Sequence, residues 1–210
     1  MVRVLVADDH AVVRRGLRQI LSRTNDMAVT GEANTRRELF EKVSQDGHDL
    51  VVLDISMPGR SGLCTLKEIK DRQPDLPVLM VGKESEDQYA VRALKAGASG
   101  WLSKESQPEE FISAIRKVSQ GRRYISCSLT EKLSLCIGPN SKKALHETLS
   151  DQEYQVLSML ASGKTVKEIA GELCLSAKTI STYRFRILQK MKMSNNAELT
   201  RYAIRNRLVE

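Results

Sequence analysis

The chain has 210 residues, of which 41% are hydrophobic, 28% charged and 4% aromatic, a composition typical of a globular protein. Its length allows one large domain or two small ones. No apolar run approaches the ~20 residues of a membrane span, and acids at positions 8 and 9 come too early for a signal peptide. We therefore expect a cytoplasmic protein without a membrane partner.

The basic charge is concentrated in the C-terminal part of the chain. Residues 1–122 contain 19 Lys and Arg against 18 Asp and Glu, whereas residues 123–210 contain 14 against 8. The second part therefore contributes +6 of the net charge of +7. An excess of this kind indicates a surface that meets a polyanion such as nucleic acid.

The four cysteines do not suggest a metal site or a disulfide framework. They stand at positions 64, 127, 136 and 174, without a C-x-x-C pair and without a nearby histidine cluster. Because disulfides are rare in cytosolic proteins, we expect reduced thiols.

The first 120 residues alternate between strand-like and helix-like segments. Short apolar runs predict β-strands at Val2–Ala7, Met27–Glu32, Leu50–Asp54, Val78–Val81 and Ser99–Leu102. An amphipathic segment follows each of them, at Ala11–Arg23, Arg36–Gln45, Gly62–Arg72, Glu86–Ala96 and Pro108–Gln120. Five β-α units in succession predict an α/β domain with a doubly wound parallel sheet and right-handed crossovers.

The pattern changes twice after this region. Residues 123–147 lack a regular period, apart from a possible short helix at Leu129–Ile137, and we interpret them as a partly helical linker. Beyond them the sequence is helical and contains no proline, and Ser150 with Glu153 forms a capping-box pattern for a helix that ends at Gly163. A helix-turn-helix pattern follows, with helices at Val166–Leu173 and Ala177–Lys192, and a fourth helix spans Ala197–Asn206.

Three carboxylates stand where predicted strands end. Asp8 and Asp9 follow the first strand, and Asp54 closes the third in the stretch VVLDISMP. Open parallel sheets bind ligands at this edge, and clustered like charges need a cation. Two kinds of chemistry fit the cluster: a Mg²⁺ site, and a carboxylate nucleophile that accepts a phosphoryl group, with Lys104 after the fifth strand as its counter-charge. A single acid of this kind often only caps a helix, but four such residues at strand ends favour a site.

Residues 1–122 resemble the receiver domain of bacterial response regulators in the segments ADDH, VVLDISMPGRSG and ALKAGASGWLSK and in their spacing. The resemblance implies a flavodoxin-like five-stranded sheet of order 2-1-3-4-5. It also implies that Asp54 is the phosphoacceptor for a histidine kinase and that Lys104 pairs with the phosphoryl group. Asp9 and Asp54 would bind Mg²⁺ directly, Asp8 through water and Ser56 through its backbone carbonyl. In this family the phosphoryl state repacks the surface around the fourth and fifth helices.

One position departs from the family pattern. The fourth strand of such domains ends in Ser or Thr, whose hydroxyl bonds the phosphoryl group, whereas this sequence has Gly82. The coupled aromatic position on the fifth strand holds Trp101, which is bulkier than the usual Tyr or Phe. Losing one charge-assisted hydrogen bond removes about 1.5 to 3 kcal/mol, as much as a typical switching energy of about 1 to 3 kcal/mol. We therefore expect weakened, altered or absent phosphate switching, unless a backbone amide or water replaces the hydroxyl.

The helix predicted at Ala177–Lys192 has two different faces. Apolar residues recur on one face, at Ile180, Ile187, Leu188 and Met191. The opposite face offers polar groups and one aromatic ring, from Lys178, Ser181, Thr182, Phe185 and Gln189. This face suits base edges and a thymine methyl in the major groove, and phosphates are within reach of the flanking Arg184, Arg186, Lys190 and Lys192. Charge alone would also be compatible with a solvated basic helix, but the helix-turn-helix spacing favours DNA.

Residues 148–208 resemble a LuxR-type helix-turn-helix domain, which we extend to residue 210. The combination with a receiver is that of NarL/FixJ-family transcription regulators, and it implies an all-α domain of four helices. The match places Lys178, Thr179, Ser181, Thr182 and Phe185 at DNA-facing positions, with Lys164 and Lys167 near the DNA backbone. The last helix resembles the family's dimerisation helix, which implies a homodimer on inverted half-sites. Its apolar residues Leu199, Tyr202 and Ala203 fit core packing equally well.

The sequence thus predicts a DNA-binding transcriptional response regulator of a two-component system rather than an enzyme. A phosphohydrolase of haloacid-dehalogenase type is disfavoured because Ser56 stands where that family has a second acid. A dinucleotide-binding dehydrogenase is disfavoured because no G-x-G-x-x-G follows the first strand. One alternative stays open: with Gly82 at the switch position, the receiver could be a dimerisation or protein-binding module that does not respond to phosphate.

Overall fold

The computed structural model describes residues 1–45, 47–58, 61–83, 87–125, 144–206 and 208–209. The chain divides into two compact units, an N-terminal α/β unit and a C-terminal helical unit. The helix predicted at Leu129–Ile137 lies outside the described residues. The domain bounds 1–122 and 148–210 remain predictions.

Strands and helices alternate through the first unit, as the apolar periodicity predicts. The strands are β1 (Val2–Ala7), β2 (Met27–Ala33), β3 (Leu50–Asp54), β4 (Val78–Gly82) and β5 (Gly100–Ser103). The helices are α1 (Ala11–Leu21), α2 (Arg36–Val43), α3 (Gly62–Arg72), α4 (Asp87–Lys95) and α5 (Pro108–Ser119). Thr35 caps α2 by accepting from the Glu38 amide, and Pro108 occupies the first turn of α5, where its missing N–H costs nothing.

The five strands form one parallel sheet in the order β2-β1-β3-β4-β5, which confirms the predicted fold class. Ala7 on β1 pairs with Leu53 on β3, and Asp54 pairs with Val81 on β4. This register brings the carboxyl ends of β1 and β3 side by side. The residues that follow β1 therefore meet the last residue of β3 at one edge of the sheet.

The sheet separates two apolar layers, because neighbouring side chains of a strand point to opposite faces. On β1, Leu5 and Ala7 belong to a buried cluster that also contains residues of α2, α3 and α4. Val4 and Val6 belong to a second cluster, which contains residues of α1 and α5. Both faces are covered, and this explains why β1, β3 and β4 are apolar almost throughout.

Over residues 144–206 the second unit contains a short 3₁₀ helix and four α-helices. The 3₁₀ helix is Leu145–Thr148, and the α-helices are α6 (Asp151–Ala161), α7 (Val166–Glu172), α8 (Ala177–Met191) and α9 (Asn196–Arg205). The predicted capping box of Ser150 and Glu153 is present at α6, and Thr165 with Glu168 forms another at α7. Caps of this kind satisfy amide groups that a helix N-terminus leaves without partners.

None of the helices in the described ranges combines the length and the apolarity that a bilayer crossing requires. Cys64 and Cys174 are free thiols, in agreement with the expectation for these two positions. Cys127 and Cys136 lie outside the described residues.

Candidate acid site and nucleic-acid interface

The predicted carboxylates meet at the carboxyl edge of the sheet. Asp8 and Asp54 are 1% and 0% exposed, whereas Asp9 is exposed. Each of Asp8, Asp9 and Asp54 offers an oxygen, and His10 a ring nitrogen, and these ligand atoms all lie within 4.8 Å of one another. The strand-end pattern predicted the three acids. It missed His10, although the histidine follows them directly in the sequence.

Lys104 supplies the counter-charge that the sequence predicts. Its Nζ lies 2.8 Å from Asp8 Oδ2 and 2.8 Å from Asp54 Oδ2. The Lys104 amide donates to the carbonyl of Gly82 at 2.7 Å, which fixes the backbone just after β5. Burial lowers the pKa of Lys104, but its hydrogen bonds to Asp54 and Asp8 outweigh burial and leave the pKa raised. The ammonium is therefore charged at neutral pH.

Burial makes Asp54 a weaker acid than usual. It raises the pKa of the carboxyl group to about 6; the hydrogen bond from Lys104 opposes this shift, and the negative charge of Asp8 adds to it. The Ser56 amide donates to Asp54 Oδ1 at 3.1 Å and favours the charged form. Ionisation of this buried carboxyl group therefore costs free energy, and a further positive charge nearby would lower that cost.

The residues at this edge fit a divalent cation. Apart from the Lys104 contact, the buried Oδ2 atoms of Asp8 and Asp54 have no hydrogen-bond partner among the described residues. Three carboxylates and one ammonium leave an excess negative charge, and oxygen ligands of this type are those that Mg²⁺ prefers. The predicted ligand role of the Ser56 carbonyl remains a prediction.

Arg14, which the sequence patterns did not identify, supports the loop that carries Asp8. Its Nη1 donates to the Asp8 carbonyl at 2.7 Å, and its Nε donates to Glu32 on β2 at 3.2 Å. The pKa of Glu32 is lowered, mainly by the hydrogen bond from Arg18. Partial burial raises this pKa, but the hydrogen bond from Arg14 lowers it further. Arg14 thus links the loop to β2, and Arg18 adds a second contact from α1 to Glu32. Only the fold shows this arrangement, because Arg14 and Glu32 are far apart in the sequence.

Gly82 and Trp101, the two predicted switch positions, are both buried. Gly82 ends β4 and pairs with Ser103 on β5. Trp101 lies in the apolar layer that includes Ala90 and Leu94 of α4. Its indole Nε1 has no hydrogen-bond partner in the described part of the chain.

Helices α7 and α8 form the predicted helix-turn-helix. Cys174 in the turn between them has a left-handed backbone with φ of 52°, and Ser176 caps α8 by accepting from the Thr179 amide at 3.1 Å. Ile180, Ile187 and Met191 are buried, as the apolar periodicity predicts.

The opposite face of α8 is open to solvent. Phe185 is 60% exposed, and the other exposed predicted contacts on this helix are Lys178, Ser181, Thr182, Arg186 and Lys190, with Arg184 and Thr179 half-buried. The hydroxyls of Ser181 and Thr182 donate to carbonyls one turn earlier. Their lone pairs remain able to accept hydrogen bonds from donors on a base edge.

Some of the predicted DNA-contacting cations are engaged within the protein. Lys190 Nζ donates to Glu153 on α6 at 2.6 Å, and Glu153 is 3% exposed. Arg184 Nε donates to Asn196 at 2.6 Å, and Lys164 pairs with Glu172 at 2.6 Å. Lys167 is exposed. Lys178 and Arg186 make no ion pair with any residue that the structure describes.

Comparisons with known proteins match both units. Residues 4–116 match the family model of the response regulator receiver domain, and residues 147–203 that of bacterial regulatory proteins of the luxR family. The chain is 35% identical to response regulator GacA of Pseudomonas aeruginosa, covering 100% of this chain and 99% of the relative. It is 36% identical to response regulator UvrY of Escherichia coli strain K12, covering 99% and 96%.

Solved structures of response regulators share the fold over nearly the whole chain. RcsB of Salmonella enterica serovar Typhimurium, bound to promoter rprA with the phosphomimetic BeF₃⁻, has a TM-score of 0.66 and 28% identity, and the match covers 96% of this chain and 98% of that one. ChrA of a heme-sensing two-component system has a TM-score of 0.54 and 29% identity, with 99% and 98% covered. These likenesses give no support to a receiver that serves only as a binding module.

Proposed function

The chain belongs to the response regulators with a receiver domain and a LuxR-type helix-turn-helix, the NarL/FixJ family of DNA-binding transcription regulators of two-component systems, and from this membership we propose that Asp54 is its phosphoacceptor. Asp8, Asp9 and Asp54 would hold Mg²⁺, together with the Ser56 carbonyl, and the donor would be a histidine kinase. The observation that carries this proposal is the position of Lys104 Nζ, 2.8 Å from both Asp8 and Asp54.

The site has the groups that in-line phosphoryl transfer needs. An Asp54 oxygen attacks phosphorus, an O–P bond forms, and the P–N bond to the donor histidine breaks, so that the electron pair leaves with the imidazole. Lys104 would pair with an oxygen of the phosphoryl group as this group leaves the donor. Mg²⁺ held by the three carboxylates would neutralise negative charge on them and on the incoming phosphoryl group. The hydrogen bond from the Ser56 amide orients Asp54.

Intact-mass measurement after incubation with acetyl phosphate and Mg²⁺ tests the proposal. We expect one added phosphoryl group on the wild type and none on Asp54→Asn. Asp49→Asn is the matched control, because Asp49 is an acid at the opposite end of β3 that pairs with Arg3. Equal phosphoryl uptake by wild type and Asp54→Asn would place the acceptor elsewhere.

We further propose that the exposed face of α8 reads DNA in the major groove and that α9 pairs two chains on inverted half-sites. Ile204 on α9 is 54% exposed and borders a shallow pocket with Ala197, Thr200 and Arg201, which supports a protein contact there. Solved RcsB complexes contain dimers on DNA.

Two substitutions on α8 test the DNA-reading face. Phe185→Ala should relax base preference with little change in the salt dependence of binding, because its ring would contact bases rather than phosphates. Arg186→Ala should weaken binding to all sequences alike and lower the slope of log K against log[salt] by about 1. If both variants bind every sequence as tightly as the wild type does, another element reads the DNA.

A further inference from the structure

An imidazole nitrogen lies in the acid cluster. His10 Nδ1 is 2.8 Å from Asp9 Oδ1 and 3.2 Å from Asp8 Oδ1. His10 occupies the N-cap position of α1, but its side chain makes no capping hydrogen bond. Asp8 Oδ1 instead accepts from the His10 amide at 2.8 Å. The ring lies against the carboxylates, with Nδ1 also within hydrogen-bond distance of Asp8 Oδ1.

The distances match the edges of an octahedral coordination shell. With metal–ligand bonds of about 2.1 Å, neighbouring ligands are about 3.0 Å apart and opposite ligands about 4.2 Å apart. The two distances from His10 Nδ1 are close to the distance between neighbouring ligands. The ligand atoms of Asp8, Asp9, His10 and Asp54 all lie within 4.8 Å of one another, which is close to the distance between opposite ligands. A single cation can therefore reach His10 and the carboxylates together after small side-chain shifts.

We propose that His10 Nδ1 is a ligand of the divalent cation held by Asp8, Asp9 and Asp54, and that it shifts the preference of the site from Mg²⁺ towards Co²⁺ and Ni²⁺. Imidazole nitrogen suits later divalent transition metals, whereas an all-oxygen shell suits Mg²⁺. In the Nε2–H tautomer the ring presents an Nδ1 lone pair to the cation. The inference rests on the metal site of the proposed function and adds a ligand to it.

Calorimetric titration of the full chain with Co²⁺ and with Mg²⁺ tests the preference. His10→Phe should weaken Co²⁺ binding on the order of tenfold or more, and Mg²⁺ binding by less than about twofold, because only the former depends on the nitrogen. The control is His48→Gln, which removes a histidine that is bonded to Thr30 rather than to the acids. Equal Co²⁺-to-Mg²⁺ affinity ratios in wild type and His10→Phe would overturn the proposal.

Pulsed electron paramagnetic resonance with Mn²⁺ as the probe tests the bond itself. We expect imidazole nitrogen coupling in the wild type and in His48→Gln, and its loss in His10→Phe. His10 is 61% exposed, so His10→Phe should fold, and circular dichroism checks this. A wild type that shows no nitrogen coupling but takes up a phosphoryl group on Asp54 with Mg²⁺ refutes the role of His10 and leaves the proposed function standing. A wild type that neither binds a cation nor takes up a phosphoryl group refutes both.

Discussion

Asp54 is ionised at neutral pH in a place that does not favour its charge. Its folded-state pKa of about 6 lies above the ordinary value of an aspartic acid, mainly because the group is buried. The folded protein therefore binds this proton more tightly than the unfolded chain does. Ionisation of Asp54 destabilises the fold increasingly as pH rises from about 4 to about 6, and the penalty is complete above that range.

Asp54→Asn should therefore stabilise the cation-free protein. In EDTA at pH 7 we expect its free energy of unfolding in urea to exceed that of wild type by about 1 to 3 kcal/mol, and the gain should vanish towards pH 4. A variant less stable than wild type at pH 7 would mean that the ion pair with Lys104 outweighs burial.

Asp49 provides a control of opposite sign for the same titration. Its hydrogen bonds to Arg3 lower its pKa to about 2, so it stabilises the fold above pH 4 and loses this effect as pH falls through about 2. Because the Asp49 side chain is 39% exposed, Asp49→Asn should cost less than about 1 kcal/mol at pH 7.

We propose that Gly82, which lacks a hydroxyl, limits how strongly phosphorylation affects DNA binding. We expect Gly82→Thr to increase the phosphodonor-dependent gain in DNA affinity by roughly 10- to 100-fold, the equivalent of one charge-assisted hydrogen bond. Gly82→Ala is the matched control, because it adds a β-carbon without a hydroxyl. Binding assays with and without phosphodonor measure the gain. Equal gains in the two variants would exclude a hydrogen bond from the introduced threonine.

The sequence predicted which three acids and which lysine lie together at the sheet edge, but it did not predict their surroundings. The four residues could be predicted from the sequence because each stands at a strand end: Asp8, Asp9, Asp54 and Lys104. The topology of a parallel sheet then brings these strand ends together. The direction of the His10 ring depends on the backbone at the start of α1, which no periodicity encodes. The same residue type at an N-cap can point away from a site.

Within the second unit, the ion pair between Lys190 and Glu153 joins α8 to α6. Glu153 also completes the capping box by accepting from the Ser150 amide at 2.8 Å. Burial raises the pKa of Glu153, but its hydrogen bonds to Lys190 and Ser150 outweigh burial and leave the pKa lowered. Lys190 therefore contributes to the packing of α8 on α6, whatever it contributes to phosphate binding.

Lys190→Met should destabilise the second unit, because it leaves the buried Glu153 carboxylate without its counter-charge. We expect a loss of about 1 to 3 kcal/mol, measured by urea unfolding, and a smaller loss for the double variant Lys190→Met/Glu153→Gln. Arg186→Met serves as the control, since it removes an exposed cation from the same helix. A Lys190→Met protein as stable as Arg186→Met would show that the pair adds nothing.

Elements were more predictable than the contacts between them. Capping residues and apolar period located α6 to α9 to within one or two residues, since both signals are local. The pairing of Lys190 with Glu153 joins positions 37 residues apart and follows only from the way α6 packs on α8. The phosphate contact of Lys190 stays a prediction, and its pairing with Glu153 is an additional role that the sequence does not indicate.

For the whole molecule, the two units differ in what stabilises them. The first has an acid cluster that would bind a divalent cation, whereas the second consists of capped helices around its own apolar residues. In calorimetry of the full chain we expect two thermal transitions, of which Mg²⁺ raises one by preferential binding to the folded state. Asp54→Asn should abolish most of that shift. A single transition that Mg²⁺ shifts as a whole would mean that the units unfold together, and equal shifts of two transitions would mean that Mg²⁺ binds both units.

Trp101 is the only tryptophan of the chain, and it is buried in the first unit beneath α4. Emission excited selectively at the indole band therefore originates from the receiver alone, while the tyrosines of the second unit remain dark at that wavelength. Backbone dichroism, in contrast, sums both units. The protein thus contains its own optical label, with which unfolding or cation binding in one half can be followed without attaching a dye.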